Sequence, residues 1–137
     1  PELTLKKGVY TKIKPNLLEK KDILKGIRTL KKINSYNHTQ AVIIRNNKII
    51  SRESRKGTKE MIKSVPKSKI KKGILIKMPK AKQDLRVDLP TIGIDTFKDC
   101  NKVGIKGIVV KSNQNIILNK EVCIKYANQN KLFLISI

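Results

Sequence analysis

The feature that most constrains this chain is the stretch 73–93, where an apolar run breaks off into a dense set of charges. Ile74, Leu75, Ile76 and Met78 make the run, interrupted by Lys77, and read as a short buried strand. Pro79 ends it, and Lys80, Lys82, Gln83, Asp84, Arg86 and Asp88 follow closely. Open α/β sheets place ligand sites just beyond the carboxyl end of a buried strand. Leu85, Val87 and Leu89 alternate with Asp84, Arg86 and Asp88. That period of two predicts a short extended segment with the Asp, Arg and Asp on one face. A solvated edge with two weak surface ion pairs has the same spacing, so the pattern by itself leaves both open.

A length of 137 residues suits one domain with a real core. Hydrophobic residues make up 39% and aromatics only 4%, so Ile, Leu and Val must build that core. The formal charge of +22 favours anionic partners: nucleic acid, a phosphorylated ligand or the anionic face of a membrane. Cys100 and Cys123 form no Cys-x-x-Cys, and with His38 the only histidine, zinc ligation is disfavoured. Both cysteines fall in apolar helical patterns and read as core thiols, which suits a reducing, cytoplasmic setting. No apolar run approaches the ~18 residues needed to span a bilayer, and no secretory signal is visible. The chain opens on Pro1 rather than Met, so it is expected to be a piece of something longer.

Coarse periodicity predicts an α/β chain with a mixed sheet, an N-terminal helix and hairpin, then alternating strands and helices. Residues 1–14 read as an extended, basic lead-in or linker before a domain spanning 15–137. Leu17, Leu18, Leu24, Ile27, Leu30 and Ile33 recur at intervals of three and four and predict a helix over 15–33. Gly26 inside it costs about 1 kcal/mol against Ala, and close helix packing would explain its presence. Residues 35–39 read as a loop. Strands over 40–44 and 49–53 flank a turn at 45–48, a hairpin. Thr58 is a candidate N-cap for a short helix that Pro66 stops. After Gly93, Asp95 is expected to cap a helix with Phe97, Cys100 and Val103 inward, ended by Gly104. Strands over 107–111 and 116–118 follow. Asn119 then caps a helix with Val122, Cys123, Tyr126 and Ala127 on one stripe, and a strand over 132–135 closes the chain.

No Gly-x-Gly-x-x-Gly or Walker-type loop occurs, which leaves a standard nucleotide cradle unsupported. His38 lies in a polar loop, where a solvated imidazole is the plainer reading. Asp22, Glu60, Asp95, Asp99 and Glu121 fall in helices and read as capping or i,i+4 partners. Asp84 and Asp88 lie outside helical patterns, beside Lys77, Lys80, Lys82 and Arg86, and Glu53 ends the hairpin where it could face a cleft. Cations mixed with carboxylates suit phosphoryl chemistry, in which anionic oxygens are neutralised and a water is positioned. If 84–88 is extended, the two Asp Cα atoms lie ~13 Å apart and cannot share one metal without a bend. In a helical turn their side chains would be ~6 Å apart. Nucleic acid is disfavoured as a partner: the few aromatics are scattered, and lysines decorate every element rather than one stripe.

The stretch from Lys77 to Gly93 resembles the signature of the I-type UDP-2,3-diacylglucosamine pyrophosphatases of lipid A biosynthesis. The family pattern Lys-x-x-Lys-Pro-x-Gln-Asp-x-Arg-x-Asp-x-Pro-x-Ile-Gly is met at Lys77, Lys80, Gln83, Asp84, Arg86, Asp88, Pro90, Ile92 and Gly93. It is departed from at Ala81. Glu53, Gly57-Thr58, Met61, Gly104 and Gly107 also fall in order, so the resemblance runs from about Gly8 onward. It implies the C-terminal catalytic domain of a protein whose preceding UDP-binding domain is the expected partner. The implied reaction is Mg²⁺-dependent attack of water on the α-phosphorus of UDP-2,3-diacylglucosamine, giving UMP and 2,3-diacylglucosamine 1-phosphate. It implies Asp84 and Asp88 as catalytic carboxylates, with Asp84 and Glu53 holding the metal. Lys77, Lys80 and Arg86 would hold the pyrophosphate, with Gln83 and Gly57-Thr58 hydrogen-bonding it. A lipid-linked substrate implies a place at the inner face of the cytoplasmic membrane, held peripherally. Lys56 and Lys59 stand where the family has acids beside Gly-Thr, and 37–40 departs from the family's Asp-x-Gly-Gln. These departures keep open a catalytically weakened binding domain and, further off, a basic nucleic-acid binder.

Overall fold

Short runs of Ile, Val and Leu become the inner strands of one mixed sheet. A computed structural model describes residues 3–34, 40–79 and 90–137. Its elements are β1 (Gly8–Val9), α1 (Leu17–Asn34), β2 (Ala41–Arg45), β3 (Lys48–Arg52), α2 (Thr58–Lys63) and β4 (Ile74–Lys77). They continue with β5 (Thr91–Ile92), α3 (Ile94–Val103), β6 (Gly107–Val110), β7 (Ile116–Ile117), α4 (Lys120–Gln129) and β8 (Phe133–Ser136). The main sheet has the order β1-β8-β6-β4-β2-β3, and β5 pairs with β7 separately. Strands β4, β6 and β8 run parallel, and β1, β2 and β3 pair antiparallel with their neighbours. Parallel neighbours need a crossover; α3 joins β4 to β6 and α4 joins β6 to β8. The expected α/β class with a mixed sheet is therefore what the chain adopts.

The inner strands β2, β4, β6 and β8 are buried along their whole length and mostly apolar because both sheet faces are covered there, whereas the edge strand β3 alternates exposed and half-buried residues. On one face Val42, Ile44, Ile74, Ile76, Val109 and Phe133 meet Ile23 and Leu30 of α1. On the other, Ile43, Leu75, Ile108 and Leu134 meet α2, α3 and α4 through Met61, Phe97, Cys100 and Cys123. Gly26 permits the first packing, since a Cβ there would overlap the end of the Ile76 side chain. The β2–β3 turn has Asn46 and Asn47 both at positive φ, 48° and 66°, the backbone of a type I′ hairpin. Gly104 ends α3 in the left-handed region at φ 82°.

Several expectations need correction. Leu17, Leu18 and Leu24 are exposed, and the stripe that faces the sheet is Ile23, Gly26, Leu30, with Ile27 and Ile33 partly buried. Val122 is likewise exposed, and α4 packs through Cys123 and Ala127. Gly57, not Thr58, is the N-cap of α2, and Gly93, not Asp95, is the N-cap of α3. Asn119 does hold the cap position of α4, in a left-handed conformation and with no side-chain cap bond. The lead-in over 1–14 is built into the domain: Leu5 is 2% exposed in the core, and β1 adds to the sheet edge against β8. The loop over 35–39 and the period-two segment over 84–89 lie outside the described residues.

Gly107 begins β6 where a Cβ would run into the buried ring of Phe133. Gly107→Ala should therefore lower stability by about 1–3 kcal/mol, the cost of overpacking a closed core. The midpoint of urea unfolding measures it, and an unchanged midpoint would show that the ring has room to move.

Candidate active site

Strand polarity brings three points of the chain to the carboxyl end of β4. Ala41 opens β2 opposite Lys77, and Val42 pairs with Arg52 near the end of β3. Gln40, Glu53 and Lys77 therefore share one pole of the sheet. It is also the place where strand direction changes, since β4 is parallel to β6 and antiparallel to β2. Ligands in open α/β sheets bind at such a switch point.

Alternation along β4 decides which way Lys77 turns. Ile74 and Ile76 pack toward α1, so Leu75 and Lys77 fall on the α2 side. There Gly57, at φ 91°, starts α2, whose Met61 and Ile62 are buried and fix the helix in place. Thr58 is its first helical residue. The Lys77 ammonium donates to Thr58 Oγ1 at 2.9 Å and to the Thr91 carbonyl at 3.5 Å. The Thr58 hydroxyl in turn donates to Glu53 Oε1 in a short hydrogen bond. Glu53 Oε2 accepts the backbone N–H of Gln40 at 3.1 Å. The result is a directed chain from ammonium to hydroxyl to carboxylate, with the carboxylate held from behind by the start of β2.

Lys77 is only 9% exposed. Burial pushes its pKa below the usual lysine value, and the nearby Glu53 charge opposes part of that shift. The stretch with the densest charges enters and leaves the fold beside this group. Met78 N–H donates to the Gln40 carbonyl at 2.9 Å before Pro79, and Pro90 O accepts Ile116 N–H at 2.8 Å after it. Pro79 and Pro90 are both buried.

Of the residues singled out in the sequence, the structure unites Glu53, Gly57, Thr58 and Lys77. Lys80, Gln83, Asp84, Arg86 and Asp88 lie outside the described residues, as does His38. Lys56 and Lys59 flank Gly57-Thr58 and are exposed. Two members were not legible in advance, the Gln40 N–H and the Thr91 carbonyl. Both are backbone groups, which leave no mark in side-chain spacing. Among the described residues no group of three His, Cys, Asp or Glu could hold a metal ion. Glu53 is thus a single carboxylate beside a lysine, and by itself it makes no Mg²⁺ site. The opposite pole carries a cleft of about 560 Å³ lined by Asn16, Asn47, Lys71 and Lys72 among others. There Lys106 is already engaged by Glu19 at 3.0 Å.

The model of the LpxI C-terminal domain matches residues 6–135 of this chain. UDP-2,3-diacylglucosamine pyrophosphatase LpxI of Caulobacter vibrioides is 28% identical over 144 aligned positions, which cover 99% of this chain and 51% of the relative. The chain spans about half the length of the curated relative it matches.

The depressed Lys77 pKa has a consequence for stability. Between its folded value and its unfolded one, the unfolded chain holds a proton that the native chain has released. Stability then rises with pH across that window. Lys77→Met should remove this rise, so the difference in unfolding free energy between the two proteins should change with pH on the alkaline side. Urea midpoints measured at neutral and at alkaline pH test it; a difference independent of pH would show that the ammonium is not desolvated.

Proposed function

Because the chain belongs to the LpxI C-terminal domain family, we propose that it is the hydrolytic part of a UDP-2,3-diacylglucosamine pyrophosphatase of lipid A biosynthesis. The observation that carries this reading is the Lys77–Thr58–Glu53 chain at the carboxyl end of β4. It meets the two ends of the stretch that holds Asp84, Arg86 and Asp88. Water attacks the α-phosphorus, a new P–O bond forms, and the bond to the bridging oxygen breaks. The bridging oxygen leaves with the sugar phosphate, giving UMP and 2,3-diacylglucosamine 1-phosphate.

In this reading Lys77 neutralises charge developing on the diphosphate, from a site dry enough for the interaction to be strong. Thr58 fixes the direction of the ammonium and, with Gly57, the approach of the substrate. Lys80, Gln83 and Arg86 complete the hold on the diphosphate, and Asp84 and Asp88 supply the carboxylates that position water. Mg²⁺ belongs to the proposal through Asp84, with Glu53 as the described residue nearest to that role; when bound, it would add charge neutralisation at the phosphoryl oxygens. The uridine half would be held by a UDP-binding domain preceding this one. We place the protein in the cytoplasm, peripheral to the inner face of the cytoplasmic membrane, where the lipid-linked substrate lies. Among the described residues no helix is long and apolar enough to cross a membrane.

A second reading is favoured by Lys56 and Lys59, which put positive charge on both sides of Gly57-Thr58. It holds the domain to be a weakened relative that binds the substrate and turns it over slowly.

One assay separates the two. The chain, alone and with a UDP-binding half supplied, is incubated with UDP-2,3-diacylglucosamine and Mg²⁺, and UMP is measured. UMP release should be lost in Asp84→Ala and on chelation, and fall by about 10²-fold in Lys77→Met. Release unaffected by Asp84→Ala would refute the hydrolytic reading. Release that rises in Lys56→Glu/Lys59→Asp would establish the weakened one.

A further inference from the structure

Helix α1 has an outward side that no described element covers. At 100° per residue the buried stripe of Ile23, Gly26 and Leu30 occupies one side. Leu17, Lys21, Leu24 and Arg28 lie on the opposite side. Leu17 and Leu18 are each 72% exposed and Leu24 is 57% exposed. Lys20, Lys31 and Lys32 are exposed around them, and every charged residue on this outward half is basic. The two acids of the helix, Glu19 and Asp22, sit toward the sheet, where Glu19 pairs with Lys106.

A single leucine in water is ordinary. Three on the first turns of one helix, with Lys20, Lys21 and Arg28 among them and the acids Glu19 and Asp22 at the sheet-side margin by Leu18, make a surface with two demands. The leucines need an apolar phase, and the cations need anions at the same depth. An anionic bilayer meets both, with acyl chains just beneath a layer of phosphates. The long lysine stems let the ammonium groups stay at the phosphate level while the leucines sink lower. A nucleic acid would satisfy the cations and leave the leucines in water. A second copy of this face would set like charges against each other.

We propose that the outward face of α1 is the surface by which this protein lies on an anionic phospholipid bilayer; this rests on the reading of peripheral membrane association given above. Helix α1 ends at Asn34, and seven residues later the chain opens β2 at the pole that holds Glu53 and Lys77. A bilayer seated along α1 would lie across the sheet from the α2 side on which Lys77 and Thr58 stand, with Lys32 toward the end of the helix nearer that pole.

Co-sedimentation with vesicles tests the assignment. Vesicles of phosphatidylcholine alone are compared with vesicles that also contain phosphatidylglycerol. The chain should bind the anionic vesicles and leave the neutral ones. Leu17→Ser/Leu18→Ser/Leu24→Ser, which leaves the charge unchanged, should weaken anionic-vesicle binding about tenfold. Lys20→Gln/Lys21→Gln/Arg28→Gln should weaken it by about as much. Lys67→Gln/Lys69→Gln/Lys125→Gln removes equal charge elsewhere and should weaken it far less. Thermal unfolding by circular dichroism confirms that each variant is folded.

If the unaltered chain ignores anionic vesicles, the membrane reading and this proposal both fall, while hydrolysis stands or falls separately by UMP release from detergent-dispersed substrate. If it binds and both α1 variants bind equally well, the membrane reading stands and the assignment to α1 is overturned. The assignment is also overturned if the leucine variant changes only the mass at sedimentation equilibrium, or if RNA displaces the vesicles and binds the leucine variant undiminished.

Discussion

A lysine ammonium buried at the end of an apolar strand is the constraint on which this site depends. Removing such a group from water costs several kcal/mol unless it is hydrogen-bonded and faces opposite charge. Lys77 meets that requirement through one hydroxyl and one carbonyl, with Glu53 one bond further on. Each partner fixes an element. Thr58 must open α2 against the end of β4, Thr91 must bring β5 back to the same place, and Glu53 must leave β3 beside the first residue of β2. The site is therefore also what holds that pole of the sheet closed. Its polarity follows from strand order, because only the antiparallel placement of β2 sets Gln40 next to Lys77.

The other pole is held by a cation too, in a different way. Arg45, at the far end of β2, is 7% exposed and donates to the carbonyls of Lys72, Pro66 and Val103 at 2.8, 2.6 and 2.8 Å. No carboxylate is among those partners. A guanidinium suits the task because its donors form a rigid fork that can meet several fixed carbonyls at once. It pins the basic loop before β4 to the end of α3. A lysine suits the first pole because its donors rotate and its pKa responds to burial. With 32 basic residues against 10 acidic ones, pairing with carboxylates could never have satisfied the cations generally. Among the described residues the two buried ones rely on backbone and hydroxyl oxygens, and most of the rest are exposed.

Much of this was legible in the sequence. Short Ile/Val/Leu runs marked β2, β4, β6 and β8, and Phe97, Cys100 and Val103 marked the inner side of α3, because there apolar positions recur on one face only. In α1 the same logic failed. Leucine and isoleucine stand on both sides of that helix, so two stripes satisfied the spacing, and only packing chose Ile23, Gly26 and Leu30. Gly26 was the discriminating residue, since a helix needs no side chain only where it touches something. Thr58 looked like a cap because it precedes a helix. Its hydroxyl is instead engaged by a lysine 19 residues away, a contact no local pattern encodes. Glu53, Gly57, Thr58 and Lys77 came together in advance through family resemblance, not through spacing, and Arg45 read as no more than a turn residue.

Charge around Gly57-Thr58 bears on which ligand this pole attracts. At 4 Å two unit charges interact by about 1 kcal/mol in water and about 4 kcal/mol near a partly buried site. Lys56 and Lys59 are exposed on long stems, so they act at the lower end and are screened further by salt. Lys77 is fixed and desolvated, and acts toward the upper end. All three repel a free cation and attract a diphosphate. The single described carboxylate, Glu53, already accepts from Thr58 and from the Gln40 amide. The described half of the site is therefore electrostatically a receptor for an anion. In the proposed reaction the carboxylates that recruit metal or direct water are Asp84 and Asp88, in the stretch between Pro79 and Pro90. The same stretch also carries Lys80, Lys82 and Arg86, so in the proposed reaction it would supply both further cations for the diphosphate and the acids that Glu53 alone does not provide.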